Sequence, residues 1–381
     1  MSHPLVRFGD IVHLNTDRVS DPLAAGIERY VGLEHITPEN LHISSWGLVA
    51  DGTTFTNTFK HGQVLFGKRR AYQRKVAFAE FDGICSSDIL VFEPADDRLL
   101  PELLPFICQS DGFFEQALKT SAGSLSPRTR WSDLANYEFP LLPIEEQREI
   151  VNLLTTANNY CDSLVELENK LKILFNSLVD DLLAHRETRK QVKLKEVCSK
   201  ITVGIASSAS HAYRESGIPL IRNTDINAGY ISREDMPFLS SEFDEEYCTK
   251  RVKAGDVVIA RTGKPGISAV VPFDLDNAQT FTTLIARPVS QKLNSDFLCW
   301  WLNSSHGQQF VLTRKAGGIQ QNLNATLLQE MPISLPSLKE QEEVVAKIQT
   351  ALNSLEATSK TKNDAMNLFS KLREAKLSGN Q

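Results

Sequence analysis

Leu142-Pro143-Ile144-Glu145-Glu146-Gln147 opens a long apolar-periodic run around which the chain is organised. Behind it, Ile150, Leu153, Ala157, Tyr160, Leu164, Leu167, Leu171, Leu174 and Leu178 recur at alternating steps of three and four, with no Gly or Pro before residue 188. That spacing is the a/d seam of a heptad pattern, which requires a partner helix. Pro143 suits a position just before or in the first turn, where its missing N–H costs nothing. Glu145 and Glu146 set negative charge at the positive end of the helix dipole. A helix of about 40 residues is about 60 Å long, too long for one ordinary globular domain.

The same opening returns as Leu335-Pro336-Ser337-Leu338-Lys339-Glu340-Gln341. Val345, Ile348, Leu352, Leu355, Met366 and Phe369 then mark the apolar positions of a second helical run, in which Ser359, Lys360, Lys362 and Asn363 form a polar interruption. Gln147 and Gln341 stand 194 residues apart, and the repeat extends outward from them over the whole chain. The apolar strand Gly62–Gly67 matches Ala254–Ile259, and Ile89–Phe92 matches Thr283–Ala286. The helical stretch Pro101–Lys119 matches Asp296–Lys315, where Trp300 and Trp301 read as one core and one edge position. The plan is domain, helix, domain, helix, with bounds 1–143, 144–188, 189–336 and 337–381. The expected fold class is α/β: two α/β domains separated by two long helices that pair as an antiparallel coiled coil, a pseudo-twofold within one chain. Parallel helices would force the chain to travel back about 60 Å between them, which the antiparallel pairing avoids.

Composition narrows the function. The 381 residues suffice for two domains and connectors, and 41% hydrophobic with 23% charged residues describes a soluble globular chain. Six cysteines without a close pair match neither a disulfide framework nor a zinc site and suit a reducing cytoplasm. The N-terminus has no signal-peptide pattern, and no 18-residue apolar run is present to span a membrane. The net charge of −6 argues against nucleic acid unless local charge reverses it.

This architecture resembles the DNA-specificity subunit of type I restriction–modification systems. The resemblance covers the full chain. It rests on the two helix openings, on Gly255-Asp256-Val257-Val258-Ile259-Ala260-Arg261-Thr262-Gly263, and on Gly317-Gly318-Ile319-Gln320-Gln321-Asn322-Leu323. The first domain departs from these patterns, with Lys68-Arg69-Arg70 against Arg261-Thr262-Gly263 and Gly123-Ser124-Leu125-Ser126-Pro127 against Gly317 to Gln321. The resemblance implies two target recognition domains, each reading half of a split site in double-stranded DNA. It implies helices that space them and dock two methyltransferase subunits, which restriction/translocase subunits can join. It implies no cofactor in this chain, with S-adenosylmethionine, ATP and Mg²⁺ on the partner subunits, and a cytoplasmic location.

Local charge then names the candidate contacts. Lys68, Arg69, Arg70, Arg74 and Lys75 gather five positive charges around Tyr72 in an acidic chain, able to neutralise phosphates and read guanine edges. Arg128 and Arg130 join them. In the second domain Arg261, Thr262 and Lys264 occupy a glycine-flanked turn after a strand, and Gln320, Gln321, Asn322 and Asn324 offer amides for bases or phosphates. The bland alternatives are a solvated loop, a β-turn and helix capping. The Glu-Gln pairs read most simply as first-turn helix residues.

Catalytic signals are missing. The sequence has no G-x-x-x-x-G-K-[ST], no Asn/Asp-Pro-Pro-aromatic tetrad, no Rossmann fingerprint and no His/Cys cluster. The chain is therefore expected to do no chemistry and to lend specificity to its partners. The competing readings are a DNA-independent coiled-coil scaffold, the specificity subunit of a fused type II system, and a divergent nuclease.

Overall fold

The computed structural model describes residues 3–185, 189–313 and 323–378. In chain order the elements are β1 (Leu5–Arg7), α1 (Phe8–Ile11), β2 (Val12–Asn15), β3 (Arg29–Val31), β4 (Gly47–Leu48), β5 (Asn57–Phe59), β6 (Val64–Gly67), β7 (Val76–Phe78), β8 (Gly83–Cys85) and β9 (Ile89–Pro94). Then come α2 (Leu104–Gln109), α3 (Asp111–Lys119), α4 (Trp131–Leu134), β10 (Glu138–Pro140) and the long α5 (Ile144–Leu183). The second series runs β11 (Lys190–Lys193), α6 (Leu194–Val197), β12 (Cys198–Val203), β13 (Tyr213–Arg214), β14 (Ile218–Arg222), β15 (Ile226–Asn227), β16 (Tyr230–Ile231), β17 (Phe238–Leu239) and α7 (Ser241–Glu246). It closes with β18 (Val257–Ile259), β19 (Ser268–Val270), β20 (Gln279–Phe281), β21 (Leu284–Pro288), α8 (Ser295–Asn303), α9 (Ser305–Thr313), α10 (Ala325–Gln329), β22 (Pro332–Leu335) and the long α11 (Leu338–Leu377).

The chain divides into two compact units, one of residues 1–165 with 360–381 and one of residues 166–359, so that each long helix is shared between them. The first unit holds an antiparallel sheet of order β2-β9-β6-β7 and a mixed sheet of order β4-β3-β8-β5, in which β3 and β8 run parallel. The second unit repeats this as β12-β21-β18-β19 and a mixed sheet β13-β17-β14-β20 with β14 parallel to β20. Strands β6 and β18 are buried throughout, which explains their continuous Val/Leu/Ile/Phe reading. Gly62 and Gly255 both take φ of 88° just before these strands, a turn that any Cβ would disfavour. First and last strands of each domain pair, Val6 with Phe139 and Val192 with Ile333. This closure delivers the chain to the start of each long helix.

Within the first unit, Leu154 and Cys161 of α5 share a core with Phe369 of α11. Within the second, Val179, Leu182 and Leu183 of α5 share a core with Val344 and Ile348 of α11. The early half of each helix thus meets the late half of the other, and the pair is antiparallel.

The seam differs from the expected one. Ile150 and Leu164 are buried and Leu171 and Leu178 half-buried, but Leu153, Tyr160, Leu167 and Leu174 are 41, 55, 44 and 63% exposed. The second column runs one residue later, through the buried Leu154, Cys161, Glu168 and Leu182 and the half-buried Phe175. Steps of three then four and of four then three both satisfy a heptad. The choice between them falls to the partner surface, which accepts Cys161 and Glu168 in place of bulkier apolar neighbours. On α11, Ile348 and Phe369 are buried, Val345, Leu352 and Leu355 are half-buried, and Met366 is 37% exposed.

Two other expectations change. Each single helical stretch proves to be two helices, broken at Ser110 and at Ser304. Both hydroxyls turn back to a carbonyl three residues earlier, Ser110 to Ile107 at 2.8 Å and Ser304 to Trp301 at 2.7 Å. Such local bonding competes with helix continuation. Trp300 and Trp301 are both buried, at 7 and 5% exposure, rather than one core and one edge. Gly229 packs against the Trp300 ring, and Phe175 meets it edge-on at 5.6 Å.

Candidate nucleic-acid interface

Each unit builds its candidate loop on the same hairpin. Residues 68–75 join β6 to β7, and residues 260–267 join β18 to β19. The two basic turns that the sequence sets against each other are one structural feature, repeated.

In the first unit the loop is held by a strap. Ala122 and Arg128 exchange backbone hydrogen bonds at 3.0 Å, Arg70 N donates to Pro127 O at 2.8 Å, and Thr129 N donates to Lys68 O at 3.0 Å. Arg70 and Arg74 bracket a short 3-10 turn and both sit in the left-handed region, at φ 55 and 50°. Cations here divide into two groups. Arg69 and Arg128 converge on Asp88, at 3.3 and 2.8 Å, and Arg69 also bonds Ser126. Burial pushes the Asp88 carboxyl up, but the bonds and charges of Arg128 and Arg69 outweigh it and hold its pKa below the ordinary carboxylate value. Arg74 pairs with Glu39 and Asp111 and lies over the Phe114 ring. Lys75 donates its ammonium to the Leu33 carbonyl. These four groups are neutralised or consumed inside the unit. Lys68, Arg70 and Arg130 have no side-chain partner among the described residues, and Arg70 Nε is shielded from water without an acceptor. Tyr72 stands 57% exposed beside them.

In the second unit Asn223 organises the turn. Its Oδ1 accepts from Arg261 N at 2.7 Å, and its Nδ2 donates to Thr282 Oγ1 at 2.8 Å. The Arg261 and Lys264 side chains have no partner among the described residues, and Thr262 and Lys264 are exposed. Gln320, Gln321 and Asn322 lie outside the described residues. Asn324 caps α10, its Oδ1 accepting from Leu327 N at 2.8 Å, so its side chain serves the fold.

Sequence reasoning missed the organisers. Asp88, Asn223 and Glu39 are single polar residues with no motif around them, and only the fold brings them to the loops. The Glu-Gln pairs gain a clear role. Gln147 is fully buried; its Nε2 donates to the carbonyls of Arg98 and Leu142, and its Oε1 accepts from Leu100 N. Gln341 repeats all three bonds with Lys292, Pro336 and Asn294. Each glutamine pins the first turn of a long helix to the loop that precedes α2 or α8. Glu146 and Glu340 remain near the surface, the latter paired with Arg189 at 2.7 Å. Among the described residues no group of three or more His, Cys, Asp or Glu could hold a metal, and no helix is long and apolar enough to cross a membrane.

A repeated domain with a basic hairpin, followed by a helix pinned through glutamine, is matched by one family model. The type I restriction modification DNA specificity domain aligns twice, with residues 6–173 and 186–367. The chain belongs to this family. It is a DNA specificity subunit of a type I restriction–modification system, the non-catalytic subunit of that complex. The chain is 23% identical over 393 aligned positions to the type I restriction enzyme MjaVIII specificity subunit of Methanocaldococcus jannaschii, covering 96% of this chain and 85% of that one. It is 28% identical over 164 positions to the EcoDI specificity subunit of Escherichia coli, covering 41 and 36%. Among solved structures, a chain from work on complex assembly and conformational transition of the type I R-M system has a TM-score of 0.68. Its identity is 21%, with 100% of this chain and 98% of that one covered. The S subunit from M. genitalium has a TM-score of 0.56 at 15% identity, covering 98 and 96%. These likenesses support the fold.

Proposed function

We propose that residues 1–143 and 189–336 are two target recognition domains, each reading one half of a bipartite site in double-stranded DNA. The observation that carries this reading is the repeated hairpin, with Lys68 and Arg70 in one unit and Arg261 and Lys264 in the other left without partners. A cation that the fold does not neutralise, in an acidic chain, suits a polyanion. Asp88-bound Arg69 and Arg128, with Arg74 and Lys75, shape the first loop, while Lys68, Arg70, Tyr72 and Arg130 face the DNA. Arg261, Thr262 and Lys264 do so in the second, and Gln320, Gln321 and Asn322 are proposed to contact DNA as well.

The long helices set the spacing between half-sites and dock two methyltransferase subunits. The apolar column that leaves the seam supports docking: Leu153 and Tyr160 in the first unit, and Leu167 and Leu174 in the second, stand exposed on α5, as does Ile173 beside Leu174. S-adenosylmethionine would then sit on the methyltransferase subunits, and ATP and Mg²⁺ on restriction/translocase subunits that join them. The compartment is the cytoplasm, consistent with six free cysteines.

The test is Arg70→Ala and Arg261→Ala in the complex assembled with methyltransferase subunits. Each should weaken binding to a duplex carrying the host's methylated site by roughly tenfold and make the salt dependence shallower. Arg70→Ala should alter tolerance to base changes in one half-site and Arg261→Ala in the other. Unchanged affinity and salt slope would remove the hairpins from the interface.

A further inference from the structure

Arg373, on the last turns of α11, is 1% exposed, the largest fully buried side chain among the described residues. A buried arginine is tolerated only when paired. Its NH1 donates to Gln109 Oε1 at 3.2 Å and lies 3.7 Å from Glu39 Oε2, and its Nε meets Glu374 at 3.1 Å. The same Glu39 pairs with Arg74, and the Gln109 carbonyl accepts from Arg74 NH2 at 2.8 Å. Arg74 closes the 68–75 loop. Glu39 and Gln109 therefore each hold both arginines, one on the helix and one on the loop. A cavity of about 520 Å³ lies among Glu39, Arg74, Asp111, Asp162 and Arg373.

The second unit shows what this network replaces. Glu374 accepts from the first N–H of α3, Asp111 N, at 3.1 Å, and Asp180 of α5 accepts from the first N–H of α9, Ser305 N, at 2.7 Å. With those carboxylates as markers, Arg373 corresponds to Val179, a buried apolar residue. Arg74, at φ 50°, corresponds to Gly266, at φ 94°, where the absence of a Cβ makes the left-handed turn easy. Gln109 corresponds to Asn303, which bonds Ser268 N and O on the hairpin directly, at 3.0 and 2.9 Å. Packing alone is thus served by valine and glycine. In the first unit both positions carry arginine, and the hairpin is held through ion pairs that reach the helix.

We propose that Arg373 is a positioning residue for DNA recognition. Through Glu39 and Gln109 it holds Arg74, and so keeps the 68–75 loop in the geometry in which Lys68 and Arg70 meet DNA. This rests on the reading of that loop as a DNA contact. The long helix then does more than space the domains: its final turns fix the recognition loop of the domain they pack against.

The test uses the full chain assembled with methyltransferase subunits, and duplexes carrying the mapped site with base changes in either half. Glu39→Gln is the leading variant, because it removes the carboxylate that the two arginines share yet leaves Arg74 on Asp111 and Gln109 and Arg373 on Glu374 and Gln109. Arg373→Val installs the residue of the other unit, and Arg70→Ala is the reference for direct contact. Glu39→Gln should keep the thermal midpoint, weaken binding roughly tenfold and relax discrimination only in the half-site that Arg70→Ala affects. Glu39→Gln with Arg373→Val should cost no more than the worse single change, since both cut one link. Wild-type discrimination by Glu39→Gln, with Arg70→Ala impaired, overturns the proposal and leaves the loop reading standing. Equal losses at both half-sites also overturn it, as a general effect on the fold. An Arg70→Ala protein that binds like wild type removes the loop reading and this proposal together. If Arg373→Val does not fold, Glu39→Gln alone decides.

Discussion

Gln147→Ala would strand three backbone groups at once: the buried carbonyl of Leu142 and the partly buried Arg98 carbonyl and Leu100 N–H. Unsatisfied buried groups cost about 1–3 kcal/mol each, so with partial relaxation a loss of about 3 kcal/mol in unfolding free energy is expected, and the same for Gln341→Ala. A loss below about 1 kcal/mol would show that the amide does not anchor the helix. Asp88 makes a different prediction. Its pKa is lowered in the folded protein because Arg128 and Arg69 outweigh burial. A lowered folded value means the carboxylate stabilises fully above its unfolded value and loses that contribution as pH falls through the folded one. The strap and loop should keep their amide protection near pH 5 and lose it at pH below the ordinary carboxylate value of 3.8. In Asp88→Asn the loop amides should exchange faster at pH 5 with little further change on acidification. An acid profile identical to wild type would sink this assignment.

At the scale of the elements, the phase of the α5 seam can be measured. Leu154 is fully buried and its neighbour Leu153 is 41% exposed. Leu154→Ala should cost about 3 kcal/mol, as buried leucine truncations do, and Leu153→Ala within about 0.5 kcal/mol. The reverse order would restore the leucine column to the seam. Leu153→Ala is instead expected to weaken assembly with the methyltransferase subunits, read by ultracentrifugation. The heptad spacing was legible because helix periodicity is local. Its phase was not, because Leu153 and Leu154 both satisfy a heptad and only the facing helix selects one. The breaks at Ser110 and Ser304 were hidden for a similar reason: serine is compatible with a helix interior until tertiary packing turns the chain.

The whole molecule adds the prediction about spacing. If the helices set the distance between half-sites, one added heptad in each, near Leu167 and near Lys362, keeps the seam in phase and adds about 10 Å. The preferred spacer should lengthen by roughly three base pairs, at 3.4 Å each. Methylation sequencing of a host carrying the variant reads this directly. An unaltered spacer with undiminished methylation would show that the helices are not the ruler. The 194-residue repeat gives the reason to expect one, since Gln147 and Gln341 anchor both helices in the same way.

The order of domain, helix, domain, helix, the repeat that relates the halves and the antiparallel sense of the helix pair were legible along the chain, because periodicity, chain length and repeated motifs are properties of one dimension. The family was legible through the resemblance that those motifs carry. The sequence also placed the basic turns, because charge clusters along the chain remain clusters in space. Which of those charges are free was settled by folding. Arg69, Arg74, Lys75 and Arg128 looked equivalent to Lys68, Arg70 and Arg130, but Asp88, Glu39, Asp111 and the Leu33 carbonyl consume the first group from distant positions in the chain. Ion pairing acts at a few ångströms regardless of sequence separation, so the distinction between a cation that builds the loop and one that meets a ligand appears only once the chain has folded.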